Sequence, residues 1–220
     1  MTILAVDTST LHAGACLWRD GRVLAERRRL VTTHSEALLA MIDELFVEAS
    51  VAPADVDAIA CGAGPGSFTG LRIGLATAKG LCFALAKPLV MVSSLAALAA
   101  RAPDGRVCAT IDALKGEVYA GRFDVQGGVP ALDGAEVVLA PAKLVPLLDG
   151  ADVLVGSGAH VINRLIDFRV LDEEAGPRAS DVARLAALRA ARGDYDDLAS
   201  AAPAYIRPSE AELVKQKRPQ

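Results

Sequence analysis

The sequence predicts an α/β protein built as two lobes, each a mixed sheet flanked by helices, and three observations carry that reading. Residues 2–7 form an apolar run closed by Asp7, and two strand-like runs follow, joined at Asp20-Gly21. Residues 106–112 repeat the arrangement, closing on Asp112 and followed by two runs joined at Gly127-Gly128. Between the repeats, Ala102-Pro103-Asp104-Gly105 is a turn-rich break, which gives lobes of 1–103 and 104–202 and a tail of 203–220. The tail is expected to pack back near the first lobe.

In the first lobe, the Asp-Gly pair between runs 13–18 and 22–27 signals a hairpin, because both turn positions need a positive φ. Thr33 and Glu36 form a capping box, and Leu38, Leu39, Ile42, Leu45, Phe46 and Ala49 continue it as an amphipathic helix. Residues 56–61 read as a buried strand and 89–92 as another, the latter followed by a helix capped at Ser93 or Ser94. In the second lobe, 106–112, 117–124 and a run from Val129 are strands. They are followed by a strand at 136–139, a short helix from Pro141, and a strand at 152–155 entering Gly156-Ser157-Gly158. A helix over 180–192 ends at Gly193, and the tail from Ala202 to Pro208 is irregular, with a mildly basic end at Lys215, Lys217 and Arg218.

Residues 61–86 are the most unusual stretch. Gly62, Gly64, Pro65 and Gly66 open it, and from Thr69 a helix is predicted whose Leu71, Ile73, Leu75, Leu81, Phe83 and Leu85 occupy more than one face. Two rows of small residues recur every fourth position, Gly70-Gly74-Ala78 and Ala76-Gly80-Ala84. A helical glycine costs about 0.5–1 kcal/mol relative to alanine, so such rows need a compensating close contact. Arg72 and Lys79, seven apart, share one face. A helix held between its own sheet and a partner satisfies all of this.

Composition bounds the function. In 220 residues, 52% are hydrophobic and only 4% aromatic, which demands an aliphatic, alanine-rich interior. A net charge of −4 disfavours a dedicated nucleic-acid binder, which needs a broad basic face. Cys16, Cys61, Cys82 and Cys108 stand apart among apolar residues, as reduced core thiols of a cytoplasmic protein would. Asp7 arrives before an apolar core of signal-peptide length can form, and the longest apolar stretch, 81–100, is broken by Lys87, Pro88 and two serines. Neither a secretory signal nor a membrane span is expected.

Two lobes that each open with strand, acid and hairpin resemble the actin-like ATPase architecture (ribonuclease H-like, ASKHA), in which phosphates lie between the hairpins and two acids hold a metal. On that reading Asp7 and Asp112 are the acids, Thr8 and Ser9 lie beside the phosphates, and Gly156 and Gly158 lie near the adenosine. The competing reading, favoured here, makes each acid the cap of a strand turn and 156–158 an ordinary connection. The loop from Gly64 to Gly70 could hold an anion at a helix N-terminus, although no Walker lysine follows, or it could be a tight turn pressing Phe68 against a neighbour. A helix metal site at His34 would want a second histidine four residues on, where Leu38 stands. His12 and His160 are isolated, and no complete catalytic constellation is found.

The segments ILAVDTST (Ile3 to Thr10), HSEAL (from His34), GAGPGSFTGLRIGLATAKG (from Gly62), IDALKGEVY (from Ile111) and YIRP (from Tyr205) resemble the TsaB family, also called YeaZ, of bacterial threonylcarbamoyladenosine tRNA modification. The resemblance spans nearly the whole chain and is most specific in the glycine-loop helix. It implies an actin-like fold without catalysis that serves as obligate partner of the paralogue TsaD. In that paralogue the first helix carries His-x-x-x-His, matched here only at His34. With TsaD and the ATPase TsaE, such a subunit serves transfer of a threonylcarbamoyl group to the adenosine beside the anticodon of tRNAs that read ANN codons.

The resemblance further implies that the first two helices dock on TsaD as a four-helix bundle. The residues expected at that interface are His34, Leu38, Met41, Ile42 and Leu45 of the first helix, with Gly66, Ser67, Phe68, Gly70, Leu71, Arg72, Gly74, Leu75 and Ala78 of the loop and second. A bulky residue at Gly74 is expected to abolish the complex and leave the lobes folded. Alone, the chain is expected to homodimerise through the same surface. No metal or firm cofactor is expected, ATP or ADP being possible only as shared at a complex interface, and tRNA is met indirectly. Two rivals stand: an actin-like kinase or ATPase using Asp7 and Asp112, and a metallopeptidase, which the missing second histidine opposes.

Overall fold

The computed structural model describes residues 1–30, 34–148, 153–171 and 176–207, and of residues 34–37 the backbone alone. The Thr33–Glu36 capping box, the His34 side chain, Asp152, Pro208 and the basic end at Lys215, Lys217 and Arg218 lie outside the described residues.

Two sheets are present. The first takes the order β3-β2-β1-β4-β5, from β1 (Thr2–Asp7), β2 (His12–Arg19), β3 (Arg22–Leu30), β4 (Ala58–Gly64) and β5 (Leu89–Ser93). Its first three strands form an antiparallel meander, turned at Asp20 (φ 49°) and Gly21 (φ 88°), and β4 and β5 add on in parallel. The second takes the order β8-β7-β6-β9, from β6 (Gly105–Asp112), β7 (Val118–Gln126), β8 (Val129–Leu139) and β9 (Val153–Val155). It repeats the meander, turned at Gly127 and Gly128, with β9 parallel to β6.

Alternation along β1 decides what covers the first sheet. Leu4 and Val6 face α1 (His34–Ala49) and α2 (Phe68–Leu85), while Ile3 and Ala5 face α6 (Ala179–Ala190). From α1, Leu38, Met41, Ile42, Leu45 and Phe46 enter this core at helical spacing. Each is worth about 1.5–3 kcal/mol when fully buried. Helix α2 is long and apolar enough to cross a membrane by length and composition, yet its buried stripe lies on its own sheet. Ser67 caps it by accepting from Gly70 N–H at 3.2 Å, and Ala86, at φ 52°, closes it in the left-handed region.

Three expectations are corrected. The runs from Val129 and at 136–139 are one strand of 11 residues, because a register shift between Ala120 and Arg122 accommodates the kink at Gly134 (φ 87°). Strand β4 starts at Ala58, two residues later than predicted, and runs on to Gly64. Helix α6 falls within the range 104–202 assigned to the second lobe but lies on the first sheet. Its alanine face, Ala179, Ala183, Ala186, Ala187 and Ala190, lies close on Ile3, Ala5, Cys16 and Trp18, a sheet face that nothing in the first half of the chain covers fully.

Between the sheets runs α3 (Ser94–Ala99), whose N-cap Ser93 accepts from Ala96 N–H at 3.1 Å. Its Leu95, Leu98 and Ala99 pack with Val107, Ala109 and Ile111 of β6. The outer face of the second sheet is covered by α4 (Pro141–Leu144) and α5 (Ala159–Asn163), through Leu144, Ala159 and Ile162. Chain 203–207 returns to β4, where Ala204 N–H donates to Ala63 O at 2.8 Å.

Candidate functional site

At the end of β1 the chain turns through Asp7, Thr8 and Ser9, all at most 2% exposed. Asp7 Oδ1 accepts from Ser9 N–H at 3.0 Å and Ser9 Oγ at 2.7 Å, and Oδ2 accepts from Ser94 Oγ at 3.1 Å. Burial raises the Asp7 carboxyl above its ordinary range, opposed by the bonds from Ser9 and Ser94. A Cβ on Gly62 would come within 2.0 Å of Asp7 Oδ2, so the strand beside it seals the acid in.

The glycine-rich loop closes over this turn. Ser67 N–H donates to Ser9 O at 2.7 Å, and Thr8 Oγ1 donates to Gly70 O at 2.7 Å. Added Cβ atoms would lie 2.1 Å from Ser9 O at Gly66, 2.1 Å from Thr8 O at Gly70 and 2.2 Å from Thr8 Oγ1 at Gly74. The row Gly70-Gly74-Ala78 therefore lets α2 settle onto β1 and its turn inside the molecule, as only glycines can at these separations.

The second acid sits in a separate cluster. Asp112 Oδ1 accepts from Leu114 N–H at 2.8 Å, and its own N–H donates to Ser157 Oγ at 3.2 Å. Gly158 N–H donates to Thr110 O at 3.3 Å, and Gly156, at φ 100°, leaves only 2.2 Å between an added Cβ and Thr110 O. Asp112, Gly156 and Gly158 thus assemble at the β6 and β9 ends, while Asp7, Thr8 and Ser9 assemble with the glycine loop. A relay that sequence reasoning missed joins the halves: Ser94 bonds Asp7, and the adjacent Ser93 donates to Glu136 of β8, whose carboxyl burial raises. Among the described residues, no three His, Cys, Asp or Glu side chains gather as a metal site.

The expected interface residues divide sharply. Leu38, Met41, Ile42, Leu45, Gly70, Leu71, Gly74, Leu75 and Ala78 are buried against the chain's own sheet, so as a partner surface they are corrected. They form the stripe that each helix needs to cover Leu4 and Val6. With Gly74 against Thr8, a bulky residue there would meet the chain's own turn, so loss of the fold is expected in place of loss of a complex alone. Gly66 is half-buried on Ser9. Ser67, Phe68 and Arg72 are exposed, the Arg72 guanidinium lying 3.9 Å from the Phe68 ring centre and Arg72 Nε donating to Tyr205 Oη at 2.9 Å.

Outside that stripe, α1 and α2 leave other apolar residues exposed. Phe83 is 86% exposed, Val47 79% and Leu39 55%, and Ala76, Gly80 and Ala84 lie exposed on α2, with nothing within 4 Å of a Cβ added to Gly80. The signal was in the sequence as the second small row, but periodicity alone could not say which row faced outward.

A family model described as "TsaD: tRNA N6-adenosine threonylcarbamoyltransferase" matches residues 28–213. The chain is 33% identical to the Escherichia coli (strain K12) tRNA threonylcarbamoyladenosine biosynthesis protein TsaB, covering 94% of this chain and 95% of that protein. It is 32% identical to the Bacillus subtilis (strain 168) protein of the same name, covering 96% of each. The solved structure of YeaZ from Pseudomonas aeruginosa superposes with a TM-score of 0.85 at 39% identity, over 93% of this chain and 99% of that one. At 9% identity, the ADPNP-bound activator of 2-hydroxyisocaproyl-CoA dehydratase from Clostridium difficile superposes with a TM-score of 0.55 over 90% and 99% of the two chains, a likeness of fold alone. The architecture is the actin-like α/β one that the sequence predicted.

Proposed function

Because the chain belongs to the TsaB (YeaZ) family, with a role in tRNA threonylcarbamoyladenosine biosynthesis, we propose that it works there as a non-catalytic subunit docking on the TsaD paralogue. One observation carries the reading: Leu39 and Val47 of α1 and Phe83 of α2 stand exposed, as does the small-residue row Ala76-Gly80-Ala84 of α2. Large exposed apolar side chains and a row of small residues are what helices of a partner would cover, and left in water such side chains favour association. The docking surface proposed here is therefore the outer side of these helices, including Gly80, in place of the buried stripe.

The non-catalytic role is supported by the state of the acids. Asp7 is buried with its oxygens bonded to Ser9 and Ser94, and Thr8 is held to Gly70, so both groups are engaged within the chain. In this reading TsaE joins the complex, any ATP or ADP is shared at an interface, tRNA is met through the complex in the cytoplasm, and the lone chain homodimerises through the same face. Capture of purified TsaD tests it: Phe83→Asp is expected to weaken capture at least about tenfold with the fold retained, since a charge there would be desolvated without a partner. Capture equal to that of the unaltered chain would reject this surface.

A further inference from the structure

We propose that residues 204–207 are a strap that fixes the setting of the second sheet on the first half of the molecule, with Arg207 as its pin. On one side, Ala204 N–H donates to Ala63 O of β4 at 2.8 Å, and the Tyr205 ring lies 5.0 Å from that of Phe68 at the start of α2. On the other side, Ile206 packs on the core formed by Ile111, Tyr119 and Phe123. Arg207 Nη1 donates to Ala113 O at 2.9 Å, its Nη2 pairs with Glu117, and its guanidinium lies 5.7 Å from the Tyr119 ring centre. Four consecutive residues thus hold β4 and α2 to the turn between β6 and β7.

That turn is one that needs holding. Leu114 (φ 60°) and Lys115 (φ 56°) both adopt the left-handed region, which side chains with a Cβ rarely enter, before Gly116 at φ 78°. At the other end of β7 a second arginine does the corresponding work. Arg184 of α6, seated on the first sheet, donates to Gly128 O at 2.9 Å and to Ala100 O at 3.0 Å. Strand β7 is pinned at both ends by one stretch of chain, and opening a hinge between the sheets would break both sets of bonds. The lobes accordingly keep one setting.

The strap does not rest on partner binding, and the test uses the full chain alone. Amide exchange is followed at Ala204 and Glu117, whose N–H groups bond Ala63 O and Leu114 O, and at Leu4 and Ile59 in the first sheet. Arg207→Ala is expected to speed exchange at Ala204 and Glu117 at least about tenfold and leave Leu4 and Ile59 unchanged. Spin labels at Asp55→Cys and Leu147→Cys, both exposed sites, one in each half, are expected to give a single narrow distance that broadens with Arg184→Ala and Arg207→Ala together. Tyr205→Ala, which keeps Arg207, serves as the second variant and is expected to speed Ala204 alone. Fast exchange at Ala204 in the unaltered chain would overturn the proposal. So would an unchanged distance and exchange in the arginine variants, or acceleration spread equally to Leu4 and Ile59.

Discussion

Gly74 lies so close to Thr8 that a Cβ on it would sit 2.2 Å from Thr8 Oγ1, the atom that donates to Gly70 O. Six residues further along the same helix, Gly80 has nothing within 4 Å of the corresponding position. One glycine is needed for packing inside the chain, and the other leaves room outside it.

Opposite signs follow for the same substitution. Gly74→Ala is expected to lower stability by about 1–3 kcal/mol through overpacking, whereas Gly80→Ala is expected to raise it by about 0.5–1 kcal/mol. Urea unfolding of the two variants measures both. A Thr8→Ala background should recover part of the Gly74→Ala loss, because the clash is pairwise. Equal effects at the two glycines would contradict the packing described.

Asp7→Ala removes the acceptor for Ser9 N–H, Ser9 Oγ and Ser94 Oγ in a buried site. Leaving such donors unmet costs about 1–3 kcal/mol each, so thermal unfolding at neutral pH should fall clearly. Asp7→Asn, neutral and of the same shape, should cost less, in line with a carboxyl that burial already pushes toward its neutral form. A fully stable Asp7→Ala would show that the acid does not anchor the turn.

Asp181 of α6 gives a pH dependence. Burial pushes its carboxyl up to about 6 from an ordinary 3.8, against the lowering effect of Arg101, Arg184 and Arg178, with Glu26 adding to the rise. Between those values the folded chain holds a proton that the unfolded chain has lost, so this group adds stability as pH falls through about 6 and withholds it above. Melting temperatures of Asp181→Asn at pH 5 and pH 8 should differ less than those of the unaltered chain. An identical difference in both would refute the assignment.

All four cysteines are buried, and burial raises the thiol of Cys82 to about 11 and those of Cys16 and Cys61 further. Since the thiolate is the reacting form, native protein at pH 8 should resist alkylation for hours and react only on unfolding. Rapid labelling of Cys82 without denaturant would place α2 away from the sheet.

Much of the fold was legible because its signals are local. Asp20-Gly21 and Gly127-Gly128 mark hairpins, Ser93 caps a helix, and Gly193 ends one at φ 69°. What escaped depended on contacts distant in sequence. The alanine face of α6 could have lain on either sheet, and only the uncovered Ile3 and Ala5 settle it. The two small rows of α2 were visible, but their orientation depends on Thr8, more than sixty residues away. For the same reason the helical spacing of Leu38, Met41, Leu71 and Leu75 marks an apolar stripe without naming its counterpart, which is the chain's own sheet.

The most direct measurement is the affinity for purified TsaD of two variants on opposite faces of α2, with fold checked by thermal unfolding. Gly80→Trp should fold as the unaltered chain does and lose binding at least about tenfold by obstructing the outer side of the helix. Gly74→Trp should fail at the folding step. Full binding by a folded Gly80→Trp chain would contradict the account.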